Sequence, residues 1–114
     1  MDIVALNFEL TRALTRHIAR RVGSAIAPAG KTVAGVMVRL RDVNGPRRGV
    51  DMGCRIAVWL RGRSAVIVDA VDRDLYAAVD LAAAKLREAI RRRLKRRRTL
   101  RREHANRRRR RQAA

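Results

Sequence analysis

Two periods of apolar residues take turns along this chain. Leu10, Leu14, Ile18, Val22 and Ile26 recur at spacings of four, which gathers side chains on one side of an α-helix. They predict a helix from about Thr11 to Ile26, with Arg12, Arg16 and Arg20 on another side and Gly23, Pro28 and Gly30 ending it. Ahead of it, the short apolar run from Asp2 to Asn7 reads as a strand. From Thr32 the period falls to two. Val36, Val38 and Leu40 point one way, Met37, Arg39 and Arg41 the other. After a turn cluster from Asn44 to Gly49, a second alternating run puts Cys54, Ile56, Val58 and Leu60 on one face and Arg55, Ala57, Trp59 and Arg61 on the other. Gly62 breaks it, and a third run from Ser64 to Val71 is rich in β-branched residues. The period of four then returns. Asp72 is the expected N-cap and Asp74 a first-turn residue favoured by the helix dipole. Leu75, Val79, Ala82, Leu86, Ile90 and Leu94 carry a helix to about Arg98, roughly 40 Å at 1.5 Å per residue.

The order is therefore β-α-β-β-β-α. Short turns between the three later strands predict an antiparallel meander. A sheet with one apolar face needs a cover, which two amphipathic helices supply. The expected class is α+β: a four-stranded sheet with two helices packed on one face. Its open face would show Arg39, Arg41, Arg55 and Arg61 beside Trp59.

Length adds that 114 residues make one domain with a modest core. Charge changes the picture more. Residues 1–90 hold 15 Lys and Arg against 9 Asp and Glu, whereas residues 91–114 hold 14 against Glu103 alone. We thus expect a mildly basic domain over residues 2–98 and an Arg-rich segment over 99–114, frayed or disordered without a partner. A polyanion is the expected partner, nucleic acid ahead of an anionic membrane. Phe8, Trp59 and Tyr76 are the only aromatics, too few for a platform of several stacked bases. The lone Cys54 excludes an internal disulfide and a cysteine zinc finger, and fits a reducing compartment. No uncharged apolar stretch is long enough for a membrane span. Asp2 and Glu9 argue against a signal peptide.

Catalytic chemistry has little support. His17 reads as a helix-surface residue on a basic face, and His104 lies in the Arg-rich segment. Nothing in the sequence places either beside Cys54, which alternates with Ile56 and Val58 and reads as a buried small apolar residue. Asp69, Asp72 and Asp74 are close together, but capping explains the last two without a metal. The turn from Asn44 to Gly49 lacks the lysine of a phosphate-binding loop. The basic surface is the stronger signal. If the two helices pack side by side, Arg16 and Arg20 join Lys85, Arg92 and Arg96 in one cationic ridge.

The segment Asp74-Leu-Tyr-Ala-Ala-Val-Asp80, then Lys85-Leu86 and a basic helix end, resembles the second helix of the ribosome hibernation promoting factors. These are also called ribosome-associated inhibitors, or the sigma-54 modulation protein family. Asn7-Phe-Glu-Leu-Thr-Arg-Ala-Leu14 with His17-Ile18 is similar to their opening strand and helix. The resemblance spans residues 2–98 and implies the same β-α-β-β-β-α order. It further implies a cytoplasmic factor that occupies the mRNA and tRNA channel of the small ribosomal subunit during stasis and catalyses nothing. The implied partners are the 30S subunit, the 70S ribosome and 16S rRNA, with no membrane, small-molecule substrate, cofactor or metal. Lys85, Arg91, Arg92 and Arg93 match the rRNA-facing helix end, and Arg16 and Arg20 fit the basic side of the first helix. With Lys95 and Arg96 on the second helix, Arg39 and Arg41 on the sheet, and Arg47 and Arg48 in the turn, these are the candidate rRNA contacts. The chain resembles the short members, without a second dimerisation domain. The turn from Asn44 to Gly49 and the basic segment 99–114 depart from the pattern. A packaging or chaperone protein that coats nucleic acid by charge alone is the alternative. An RNA-modifying or RNA-cleaving enzyme has only the two histidines behind it.

Overall fold

The computed structural model describes residues 1–43, 51–62 and 64–113. Strand β1 (Asp2–Leu6) leads through helix α1 (Arg12–Ile26) and a 3-10 segment (Ala27–Thr32) to β2 (Val33–Asp42). Strands β3 (Met52–Leu60) and β4 (Val66–Asp72) follow, and helix α2 (Leu75–Ala113) closes the order. The sheet runs β1-β2-β3-β4. β2, β3 and β4 are the antiparallel meander that alternation predicts. β1 joins β2 in parallel, with Asp2 opposite Met37 and Leu6 opposite Arg41. A parallel pair needs a crossover, and α1 provides it.

Local chemistry sets the element ends. The Thr11 side chain accepts a hydrogen bond from the Leu14 N–H at 3.2 Å, capping α1. Asn7 has φ 69°, a left-handed conformation that asparagine tolerates, and turns the chain out of β1. Gly62, at φ 69°, does the same after β3, where a side chain would be strained. The cap of α2 differs from expectation. Asp74, not Asp72, holds the N-cap: its carboxylate accepts from the Tyr76 N–H at 3.1 Å and its carbonyl from the Ala78 N–H at 2.9 Å. Asp72 accepts from the Asp74 N–H at 2.9 Å, fixing the turn one step earlier.

Alternation puts the core where expected. Val36, Val38 and Leu40 of β2 and Cys54, Ile56, Val58 and Leu60 of β3 are buried. They meet Leu14, Ile18 and Val22 of α1 and Ala78, Val79, Ala82, Leu86 and Ile90 of α2 in one cluster. α2 lies over β3 and β4 with α1 beside it. Both helices cover one face, and the other stays open.

The largest departure lies past Arg98. Sequence reading ends the helix there, yet α2 continues unbroken to Ala113. Two local facts account for this. No glycine or proline follows Gly62, and Arg, Ala, Leu, Glu and Gln are good helix formers. The packed first half also supplies the nucleus, so each further residue adds a bond without the nucleation cost.

Candidate nucleic-acid interface

The segment from Asp74 to Tyr76 and on to Asp80 is a structural clamp. Asp74 caps the helix, and Ala78 and Val79 are fully buried. Tyr76 sets its ring edge-on to His17, with centroids 4.9 Å apart. Asp80 accepts from His17 Nε2 at 2.7 Å and from Arg21 Nε at 2.9 Å. The clamp ties α1 to α2. His17 is therefore half-buried between the helices, not a basic surface residue as its spacing alone suggests. The packing of α1 against α2 reserves it for Asp80.

That clamp also decides where the cations go. Asp80 marks the α1 side of α2. Lys85, five residues on, is turned by about 140° at 100° per residue and donates from Nζ to the Asp69 carbonyl of β4 at 2.8 Å. Arg93 likewise reaches the Ser64 carbonyl and hydroxyl at 3.1 and 3.3 Å. Lys85, Arg92 and Arg96 share that far side, while Arg16 and Arg20 lie exposed on the outer side of α1. The single ridge expected from these five residues does not form, because α1 packs against the opposite side of α2.

Among the described residues of the folded body, further cations gather on three surfaces. The first is a groove of about 210 Å³ between the helices, with Ala25, Ala83 and Ala84 as its floor and Arg21, Arg87 and Arg91 on its rim. Arg21 and Arg87 were not among the candidates. Their signal was present as an arginine four residues before Arg91 and another one turn after His17. The second is the middle of α2, where its packed half ends and Arg91, Arg92, Lys95 and Arg96 crowd together. Glu88 partly offsets them, meeting Arg91 at 2.9 Å and Arg92 at 3.5 Å. These ion pairs are exposed, so screening leaves them little stabilising effect.

The third surface is the open face of the sheet. Arg39 and Arg41 stand there beside Arg55 and Trp59. Arg55 donates to Asp69 at 2.9 Å, and that carboxylate raises its pKa. Trp59 lies over Gly35, and the Arg41 side chain lies over Gly53, where an added Cβ would meet Val43 at 3.0 Å and Arg41 at 3.2 Å. Val4, Leu6, Ile67 and Val71 are exposed on the same face. It is thus a mixed surface of cations, one indole and short apolar side chains, suited to ribose and base edges as well as phosphate. Arg47 and Arg48 lie outside the described residues.

Among the described residues no three His, Cys, Asp or Glu side chains gather where they could hold a metal ion. Cys54 is 1% exposed. Burial first, and the Asp69 charge second, push its thiol from 9.0 up to about 12. A thiolate is the nucleophile, so the native chain is expected to resist iodoacetamide at pH 8 and react once unfolded in urea. Rapid labelling of native protein would contradict this burial. From pH 9.0 toward about 12 the unfolded thiol loses its proton while the folded one keeps it. The folded state then binds more protons, and stability falls as pH rises through that window.

Comparison with known proteins follows the same lines. Residues 1–98 match the family described as "Sigma 54 modulation protein / S30EA ribosomal protein". The crystal structure of the Thermus thermophilus Protein Y N-terminal domain is similar at a TM-score of 0.63 and 26% identity, covering 80% of this chain and 93% of that one. A ribosomal subunit interface protein from Coxiella burnetii aligns at a TM-score of 0.66 and 18% identity, over 76% of this chain and 88% of that one, a likeness of fold. A search of curated protein sequences finds no match. No helix among the described residues is long and apolar enough to cross a membrane.

Proposed function

Because the chain belongs to the sigma 54 modulation protein / S30EA ribosomal protein family, a ribosome-associated family, we propose that it binds the small ribosomal subunit and holds translation off. The observation that carries the reading is the cluster of Arg91, Arg92, Lys95 and Arg96 where the packed half of α2 ends, within a chain whose residues 1–98 match that family. In this reading the body is a basic wedge in the channel that mRNA and tRNA otherwise occupy, in the cytoplasm and during stasis. The helix side meets 16S rRNA through Arg91, Arg92, Lys95 and Arg96, with Lys85, Arg93, Arg16 and Arg20 flanking. The sheet side meets it through Arg39 and Arg41, with Arg47 and Arg48 at the hairpin end. Arginine suits this task because its planar fork takes phosphate oxygens two at a time. Exclusion of other ligands is the whole activity. No bond is made or broken, and neither a cofactor nor a small-molecule substrate is needed.

Sedimentation of a stationary-phase lysate through sucrose, with the protein located by antibody, tests the reading. Co-migration with 30S and 70S peaks at moderate salt is expected, saturating at one copy per small subunit and reversed by excess tRNA with mRNA. A protein that stays at the top of the gradient, or that tracks with DNA and is freed by DNase, is instead a charge-driven packaging protein.

A further inference from the structure

Helix α2 does not stop where the folded body stops. Among the described residues Leu94 is the last apolar side chain of α2 packed against the core, yet the helix runs on to Ala113, about 28 Å further at 1.5 Å per residue. All residues from Arg98 to Ala113 are exposed. The radius of gyration is 18.2 Å, against about 13 Å for a compact chain of this length. The long axis reaches 69 Å. The family match ends at residue 98, so this arm is not part of what the family accounts for.

The arm's charge is unusual in its distribution as well as its amount. Residues 99–113 carry seven arginines against Glu103. Arg107 to Arg111 are consecutive, and successive positions turn by about 100°, so those five point to every side of the helix. Arg101 falls on the side of Arg108, and Arg102 on the side of Arg109. Leu100 and Ala105 sit about 140° apart and make no apolar stripe. The first half of α2 is the reverse, with one apolar side from Ala78 to Ile90.

Geometry separates the polyanions that fit such an arm. A lipid surface is flat and holds a helix by an apolar side, which this segment lacks. A single A-form duplex has a major groove too deep and narrow for a helix, and a helix laid across it meets phosphates on one side only. In either case about half the arginines would face water and repel one another. We propose that the arm inserts into folded RNA where phosphate backbones approach it from several sides at once. The identity of that RNA as rRNA rests on the ribosome-binding reading. The arm then fastens the body by reaching beside the site the body fills. Phosphate relieves the like-charge repulsion within each turn, so binding strengthens the helix it uses.

The test compares the intact chain with four variants on purified 30S subunits, by titration at 50–200 mM salt. One variant ends at Arg98; the others are R101A/R108A, R102A/R109A and R107A/R111A, each removing two cations from one side. Alanine is the best helix former, so these changes preserve the arm, and circular dichroism checks that they do. The truncated chain is expected to bind still but to lose about 5 units of salt slope, at 0.7–0.9 unit per phosphate. Each pair is expected to lose about 1.5 units, with no side dominant. An effect confined to one pair would mean the arm lies on a flat surface and would overturn the proposal. So would a truncated chain with an unchanged slope. An intact chain that fails to bind 30S at all would remove the functional reading itself, and this inference with it.

Discussion

Reversing Arg91, Arg92, Lys95 and Arg96 together to glutamate is expected to weaken binding to the 30S subunit by on the order of a thousandfold, about 1 kcal/mol for each cation removed. The salt slope should drop by about 3 units as four phosphate contacts disappear. These four residues stand where the packed half of α2 ends, exposed and close together. Their loss should cost little stability. Arg91 and Arg92 give up exposed pairs with Glu88, which screening already weakens, and glutamate is itself a good helix former. A denaturation midpoint near that of the parent chain would confirm that the fold survives. Unchanged affinity in a folded variant would disprove the proposed binding side.

Leu86→Ala is expected to destabilise the fold by about 2–5 kcal/mol, a large share of the 5–15 kcal/mol typical of a domain. Leu86 is fully buried in the shared cluster of α1, α2 and the sheet. Truncation loses its transfer free energy and leaves a cavity that neighbouring side chains fill only in part. The same change at Leu100, which is 61% exposed, should alter stability by less than about 0.5 kcal/mol. Urea unfolding followed by circular dichroism reads both. If the two leucines cost the same, the division of α2 into a packed half and a free arm is wrong.

The clamp shows how far the sequence could be read. Asp74 to Asp80 is distinctive enough to carry the family resemblance, and its helical spacing is plain. Its physical work was not legible, because each partner lies far along the chain. His17 and Asp80 are 63 residues apart, and no local pattern pairs them. The cationic ridge failed for the same reason. Lys85, Arg92 and Arg96 do share a side of α2, as their spacing says, but spacing along one helix is silent on which side the other helix takes. Arg39 and Arg41 were legible, since alternation assigns them to the face opposite Val38 and Leu40.

Residue pattern alone specifies the strands and helices, their order and the inward face of each. These follow from periods of two and nearly four, which the backbone geometry imposes on any chain. It also determined that Cys54 is buried and that the charge is concentrated past residue 90. Long-range packing settles which side of α2 receives α1, and so which cations share a surface. It also set the cap at Asp74 and the parallel seat of β1. The helical arm belongs to both levels. Its residues largely favour a helix locally, whereas its Arg-rich, low-complexity composition points to fraying or disorder without a partner. The packed half of α2 supplies a nucleus that no isolated 15-residue segment would have. Propagation from it adds one bond per residue fixed, and no glycine or proline interrupts it.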